Sequence, residues 1–154
     1  MLTTLNTEIN YARSRHLPDA KAKRCMKEAP QYLFVYGTLR PCLAGPEQKL
    51  ITREFTLVGP ATISGVLYDL KHYPGVQDGA GRISGDVLFF SNNESLRDID
   101  AYEGCYDTPP LFLRKTTCAT LESGKTLVAW VYYYCGSLVK ASVITGGDYR
   151  VREE

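Results

Sequence analysis

The chain has 154 residues, of which 44% are hydrophobic and 11% aromatic, enough for one packed core. Its formal net charge of +1 argues against a nucleic-acid-binding surface, which needs clustered excess Lys and Arg. The sequence contains no apolar run approaching the roughly 18–20 residues of a membrane helix and begins without the apolar segment of a secretory signal. We therefore expect a soluble, cytoplasmic protein that binds neither nucleic acid nor a membrane.

Residues 1–30 differ from the rest of the chain, since they carry six Lys or Arg against three Asp or Glu. They are polar and lack sustained periodicity, although residues 20–27 favour a short helix that ends before Pro30. We interpret them as a basic, loosely docked N-terminal extension of a domain at residues 31–154. An organelle presequence is the alternative reading, against which Glu8 and Asp19 count.

The domain begins with a compact aromatic and β-branched run, residues 32–36, that predicts a buried strand closed by Gly37. A polar turn follows, then a helix over residues 47–52 and strands at residues 55–58 and 63–70. Residues 72–81 are dense in turn-forming residues and predict a loop. Strand character returns over residues 82–90.

A helix is predicted next. Ser91 and Glu94 have the spacing of a capping box, Leu96, Ile99 and Tyr102 form an apolar stripe, and Gly104 stands where a helix ends. Residues 111–121 and 127–134 then read as a hairpin joined by a polar turn, and residues 146–148 as a loop. Because strands outnumber helices, the sequence predicts an α+β fold around a curved or closed sheet.

A carboxylate lies on the apolar face of that helix. Glu103 follows Leu96 by seven positions, so at about 100° per residue it falls within about 20° of it. Buried carboxylates need donors, take up a proton, or line a cavity where a raised pKa is useful. Two alternatives stay open: the helix frays and exposes Glu103, or Asp100, about 40° from Leu96, is the inward carboxylate.

A second candidate site is the turn after the first strand, formed by Tyr36, Gly37, Thr38, Leu39 and Arg40. Successive backbone N–H groups in such a turn can converge on an anionic ligand group, and Arg40 could add a charge-assisted contact. Taken alone, the pattern is also that of an ordinary structural turn.

Together these motifs resemble the gamma-glutamylcyclotransferase-like family of the avirulence-induced-gene type. The resemblance spans most of residues 32–149 and rests on the order and spacing of short segments. These are residues 34–40, 65–70, 73–75, 84–87, the helix from Leu96 to Gly104, residues 129–132 and residues 147–149. It implies a small distorted β-barrel with flanking helices and a pocket where the residue 36–39 loop faces Glu103.

The resemblance also implies a reaction, in which a gamma-glutamyl amine or peptide cyclises to 5-oxoproline and releases the amine. Glu103 would be the general acid/base, and no metal or organic cofactor would be required. The implied substrate-binding residues are the turn residues already named, Tyr36, Gly37, Thr38, Leu39 and Arg40, together with Tyr73 and Tyr106.

Two positions depart from the family pattern. Where many relatives have Tyr-x-Arg after the catalytic helix, this chain has Phe112-Leu113-Arg114, so a phenol is missing that Tyr106 could replace. The family's Gly-Asp-Trp tail reads Gly147-Asp148-Tyr149 here. Both changes leave the proposed base, Glu103, in place, but they leave undetermined which amine is released.

Two other functions compete with this interpretation. A Cys/His hydrolase would use Cys42 or Cys105 with His72, although nothing nearby in the sequence activates either thiol. The five cysteines are odd in number and widely spaced, which favours reduced thiols over a disulfide framework or a zinc site. A non-catalytic small-molecule binding or interaction domain on the same fold is the second alternative.

Overall fold

A computed structural model describes residues 29–151. The first 28 residues of the predicted extension, including the short helix at residues 20–27, lie outside the described residues. None of the helices formed by residues 29–151 has both the length and the apolar character that crossing a membrane requires.

Six strands and two α-helices make up the described chain. In order they are β1 (Tyr32–Val35), α1 (Pro46–Ile51), β2 (Thr56–Asp69), β3 (Pro74–Phe89), α2 (Ser95–Tyr102), β4 (Phe112–Leu121), β5 (Thr126–Tyr134) and β6 (Ser142–Val143), followed by a 3₁₀ turn at Tyr149–Val151.

The sheet closes on itself as a barrel. Its strands run in the order β3-β1-β5-β4-β2, and β2 pairs back with β3 along most of its length. The β1–β5 pairing is parallel and the other barrel pairings are antiparallel, while the short β6 adds to β2 outside the ring. The predicted α+β fold, a small distorted β-barrel with flanking helices, is confirmed.

Alternation along β1 divides the core into two clusters, because successive side chains of a strand point to opposite faces. Phe34 and Tyr36 point into the barrel, where they join a buried cluster with β2, β3 and β5. Leu33 and Val35 point outward and pack with Ile99 and other apolar residues of α2. The same short strand therefore packs against both the barrel interior and α2, and its C-terminal end lies where the barrel and α2 meet.

The predicted loop at residues 72–81 is partly wrong, since β3 already begins at Pro74. Residues 74–77 pair with 66–69, and the register then shifts, which leaves residues 78–81 as a bulge opposite Gly65. A Cβ at Gly81 would lie 2.7 Å from the Gly65 carbonyl oxygen, so this glycine permits a close backbone approach. The two strands predicted at residues 55–58 and 63–70 are likewise one bent strand, β2.

The predicted start of the second helix is also wrong, because α2 begins at Ser95 with Glu94 as its N-cap. The preceding turn is organised by Asn92, whose side-chain oxygen accepts a 3.0 Å hydrogen bond from the Glu94 N–H. An Asx turn thus takes the place of the expected Ser91 capping box.

Candidate active site

A cavity of about 270 Å³ opens between the end of β1, the C-terminus of α2 and the start of β4. Most of its wall is aromatic or aliphatic, and Glu103 is the one lining residue with a carboxylate. The lining comprises Phe34, Val35, Tyr36, Gly37, Thr38, Leu39, Tyr73, Pro74, Tyr102, Glu103, Leu111, Phe112 and Tyr132. The structure thus brings the residue 36–39 loop and Glu103, two separate features of the sequence, to one cavity.

The loop is held at both of its ends. The Tyr36 phenol donates a 2.6 Å hydrogen bond to the Tyr132 carbonyl on β5, and the Arg40 N–H closes the turn on the Gly37 carbonyl at 3.0 Å. Within residues 29–151, the intervening N–H groups of Gly37, Thr38 and Leu39 have no backbone acceptor. Donors of this kind, at a cavity wall, can receive a carboxylate or an oxyanion.

Gly37 is required by packing against the first residue of β3, Pro74. A Cβ at this position would lie 2.7 Å from Cγ and 3.0 Å from Cδ of the Pro74 ring. The absence of a side chain therefore lets the loop pass close to the start of β3, where Tyr73 and Pro74 form the facing part of the wall.

Glu103 is the C-cap of α2, so the helix extends to this residue and does not fray before it. Its N–H donates to the Ile99 carbonyl at 2.8 Å, and Gly104, with a φ of +70°, then reverses the chain. The carboxyl group is partly buried against the aromatic wall, and this burial raises its pKa to about 7. Such a group exchanges a proton readily near neutral pH.

Asp100, the competing inward carboxylate, also faces the interior but is fully engaged by neighbours. Arg114 donates to its two oxygens at 2.9 and 3.2 Å, and the Tyr132 phenol donates to Oδ1 at 2.6 Å. Asp100 is 8% exposed and is absent from the cavity lining. The structure thus separates the two carboxylates: Asp100 is an anchor and Glu103 faces the cavity.

Phenols supply most of the remaining polar groups of the wall. The Tyr102 hydroxyl lies 3.3 Å from Thr38 Oγ1 and accepts a 3.0 Å hydrogen bond from Gln48 Nε2, which links α1, α2 and the loop at the cavity rim. Burial and the neighbouring Glu103 raise the pKa of both Tyr36 and Tyr73, so these phenols remain protonated donors. Sequence reasoning used Tyr102 only as part of an apolar stripe and missed Tyr132. Helical phase gives no signal for Tyr102, because adjacent positions of a helix lie about 100° apart. Its place next to Glu103 at the C-terminus of the helix is the signal that could have found it.

Comparison with known proteins identifies the family of the chain. The family model described as gamma-glutamyl cyclotransferase, AIG2-like, matches residues 33–151. A protein of Methanocaldococcus jannaschii, provisionally named a gamma-glutamylcyclotransferase, is 32% identical over 124 residues, covering 78% of this chain and 96% of the relative. The chain belongs to the AIG2-like gamma-glutamyl cyclotransferase family.

Solved structures agree with the family's fold. The solution structure of protein ytfP from Escherichia coli matches with a TM-score of 0.57 at 28% identity, over 77% of this chain and 95% of that one. The crystal structure of a mouse AIG2-like protein matches with a TM-score of 0.59 at 20% identity, over 71% and 80% of the two chains. The barrel and its flanking helices are thus the AIG2-like fold.

Arg40 is a predicted substrate-binding residue that the structure places away from the cavity of this AIG2-like chain. It is 1% exposed, and its Nε and Nη1 donate to Asp86 at 2.9 Å and to Asp148 at 3.2 Å. Asp148 also accepts hydrogen bonds from the Arg150 guanidinium. The arginine therefore ties the end of the loop to β3 and to Asp148 near the C-terminus, instead of lining the pocket.

Tyr106, the predicted substitute for a missing phenol, is also outside the cavity lining and is 67% exposed. Phe112 does line the cavity, and its ring packs against Tyr73 and Tyr134 with centroid distances of 6.0 and 5.4 Å. At the position where the family resemblance predicts a phenol, this chain therefore presents an apolar face supported by two tyrosines.

The thiols lack the surroundings of a nucleophile. Burial, followed by the charges of Asp100 and Glu103, raises the pKa of Cys105 to about 11, so it stays protonated at neutral pH. Cys42 and His72 are both exposed, outside the lining residues. The Cys/His interpretation finds no support in this part of the chain.

Proposed function

We propose that this protein cyclises a gamma-glutamyl amine or peptide to 5-oxoproline and releases the amine, with Glu103 as the general acid/base. The observation that carries the proposal is the cavity in which Glu103, with a pKa of about 7, faces the residue 36–39 loop. The names of the curated relatives support the reaction class.

The chemistry follows from where a proton can go. The Glu103 carboxylate takes a proton from the substrate's α-ammonium group, and the freed amine attacks its own gamma-carbonyl carbon. Glu103 then gives the proton to the departing nitrogen and the original amide C–N bond breaks. The new ring nitrogen gives up its second proton to the regenerated Glu103 carboxylate, and the released amine takes this proton up, so that 5-oxoproline and an ammonium ion leave. A carboxyl group with a pKa near 7 can serve in both directions.

The loop supplies binding and charge stabilisation in this scheme. The N–H groups of Gly37, Thr38 and Leu39 would hold the substrate α-carboxylate or the developing oxyanion. Tyr36 and Tyr73 would contact the glutamyl chain from the wall. Because the attack is intramolecular, a cavity that keeps the chain folded supplies much of the rate.

Measured release of 5-oxoproline from a panel of gamma-glutamyl amines and dipeptides tests the proposal. We expect turnover of at least one compound and a loss of about 10²–10⁴-fold in kcat for Glu103→Gln. Glu94→Gln, the same change at the opposite end of α2, is the matched control and should keep full activity.

The reaction is contradicted if no panel compound turns over or if Glu103→Gln is as active as the wild type. A compound that binds by calorimetry without yielding 5-oxoproline would instead favour the non-catalytic binding domain. Substitution of Cys42 and Cys105 by Ser should leave turnover unchanged, which separates the proposal from thiol chemistry.

A further inference from the structure

The residue that anchors the α2 helix also anchors the loop. The Tyr132 side chain donates to Asp100 at 2.6 Å, while the Tyr132 backbone carbonyl accepts the Tyr36 phenol at 2.6 Å. A single position on β5 thus fixes both the helix that carries Glu103 and the strand end that begins the loop.

Asp100 is connected to Glu103 through the last turn of α2. The Glu103 N–H donates to the Ile99 carbonyl at 2.8 Å and the Cys105 N–H to the Asp100 carbonyl at 3.0 Å. The segment that bears the Glu103 carboxylate is therefore bonded on both sides to the pair Ile99 and Asp100. Ile99 is wholly buried, so this pair cannot turn toward solvent without disturbing the core.

The Asp100 carboxylate is bonded to side chains from two strands of the barrel, β4 and β5. Arg114 on β4 donates a hydrogen bond to each carboxylate oxygen of Asp100, and the same guanidinium lies 4.2 Å from the centre of the Trp130 ring on β5. A planar guanidinium held by a carboxylate and an aromatic face has little freedom to move. Two strands of the barrel thus fix the height and rotation of α2 at the position one turn before Glu103.

We propose that Asp100 is a positioning residue, which, through Arg114 and Tyr132, holds the last turn of α2 so that the Glu103 carboxylate faces the residue 36–39 loop. The inference rests on the proposed function for its catalytic consequence. Its structural content, the orientation of Glu103 into the cavity, can be measured without a substrate.

The direct test is a ¹³C NMR titration of the Glu103 carboxyl carbon, assigned with Glu103→Gln. The titratable groups that interact with Glu103 are Tyr36 directly after β1, Tyr73 from the turn before β3 and Cys105 beyond α2. All three have raised pKa values and keep their protons below pH 8, so a transition near pH 7 reports Glu103. In Asp100→Asn, a released turn lets Glu103 reach water, and its pKa should fall by about one unit or more.

The kinetic arm separates positioning from binding. We expect Asp100→Asn to lower kcat about tenfold or more with a smaller change in KM, because a displaced base impairs proton transfer more than substrate contact. Asp98→Asn, an exposed carboxylate on the same helix, is the matched control and should leave the pKa of Glu103 and kcat unchanged. Arg114→Lys keeps the charge but loses the two-oxygen grip, so it should shift both quantities in the same direction by less.

The proposal is overturned if Asp100→Asn folds and its Glu103 has the same pKa as in the wild type. It is also overturned if the substitution lowers thermal stability but leaves the pKa of Glu103 and kcat unchanged. Where Asp100→Asn does not fold, Arg114→Lys decides by the same two readouts. If the wild type turns over no substrate, the proposed function fails, and the titration still decides whether Asp100 orients Glu103.

Discussion

The guanidinium of Arg40 lies 2.9 Å from the carboxylate of Asp86, and the two residues are only 1% and 8% exposed. Asp148 takes a second nitrogen of the same guanidinium at 3.2 Å. A charge this deeply buried is tolerated because it is paired, and removal of Asp86 leaves the Arg40 guanidinium with only Asp148, which is shared with Arg150. The end of the residue 36–39 loop is therefore fixed by a buried ion pair.

Asp86→Ala should destabilise the protein strongly because it strips the first partner from a buried arginine. We expect the free energy of unfolding to fall by about 3–5 kcal/mol, measured by urea denaturation. Asp98→Ala removes an exposed carboxylate and should change it by less than about 0.5 kcal/mol. Equal effects of the two substitutions would show that the Arg40 pair contributes no more than a surface charge.

Arg40 also shows where sequence reasoning stops. A basic residue after a glycine turn predicts a ligand contact, but its partners are 46 and 108 residues away along the chain. Only the barrel closure brings β3 and the C-terminal segment to this point. Pairings between distant segments have no local signal in one sequence.

Local patterns were read more successfully. The hairpin of β4 and β5 follows from spacings of a few residues and is confirmed. The phase argument for Glu103 uses spacings of similar length, and the structure places Glu103 at the end of α2 in the cavity lining. The glycines of residues 75–81 predicted a loop, but glycine is also found in strands where two backbones approach closely, and here it has that second role. The orientation of the Tyr132 and Tyr102 phenols depends on packing between elements.

Stability should depend on pH through Glu103, whose pKa is raised from 4.5 to about 7 by burial. Between these values the folded state holds a proton that the unfolded state has lost, so stability falls as pH rises from about 4.5 to about 7. Glu103→Gln lacks this loss. Relative to that of the wild type, the free energy of unfolding of Glu103→Gln should rise by at most about 3 kcal/mol between pH 4 and pH 8. Solvent screening of this partly buried group makes the rise smaller. Urea denaturation at both pH values checks this, and a constant difference would contradict it.

Activity should follow the same carboxyl group in the opposite direction. Since the proposed base works as the carboxylate, kcat/KM should rise with pH through an acid limb centred near pH 7, the raised pKa of Glu103. The measurement is 5-oxoproline release at low substrate concentration between pH 5 and 8. Glu94→Gln should keep this limb. A limb centred near 4.5, the ordinary value for a glutamate, would mean that the acting carboxyl is not buried.

The last prediction concerns the close contact between Gly37 and the Pro74 ring, which sets the position of the residue 36–39 loop. An added Cβ would lie 2.7 Å from the Pro74 ring, inside normal contact distance, so Gly37→Ala must push the loop and Pro74 apart. The N–H donors of the loop then move relative to Glu103, and displacements of about 1 Å can cost about 10²-fold in rate. We expect kcat/KM to fall by about tenfold or more.

Gly146→Ala is the matched control, because a Cβ there meets nothing within 4 Å. It should leave 5-oxoproline release unchanged under the same assay. Equal activity of the two alanine variants would mean that the loop can shift without changing its distance to Glu103, and the proposed role of its N–H donors would fail. A loss confined to Gly37→Ala would instead tie turnover to the narrow contact between the loop and Pro74.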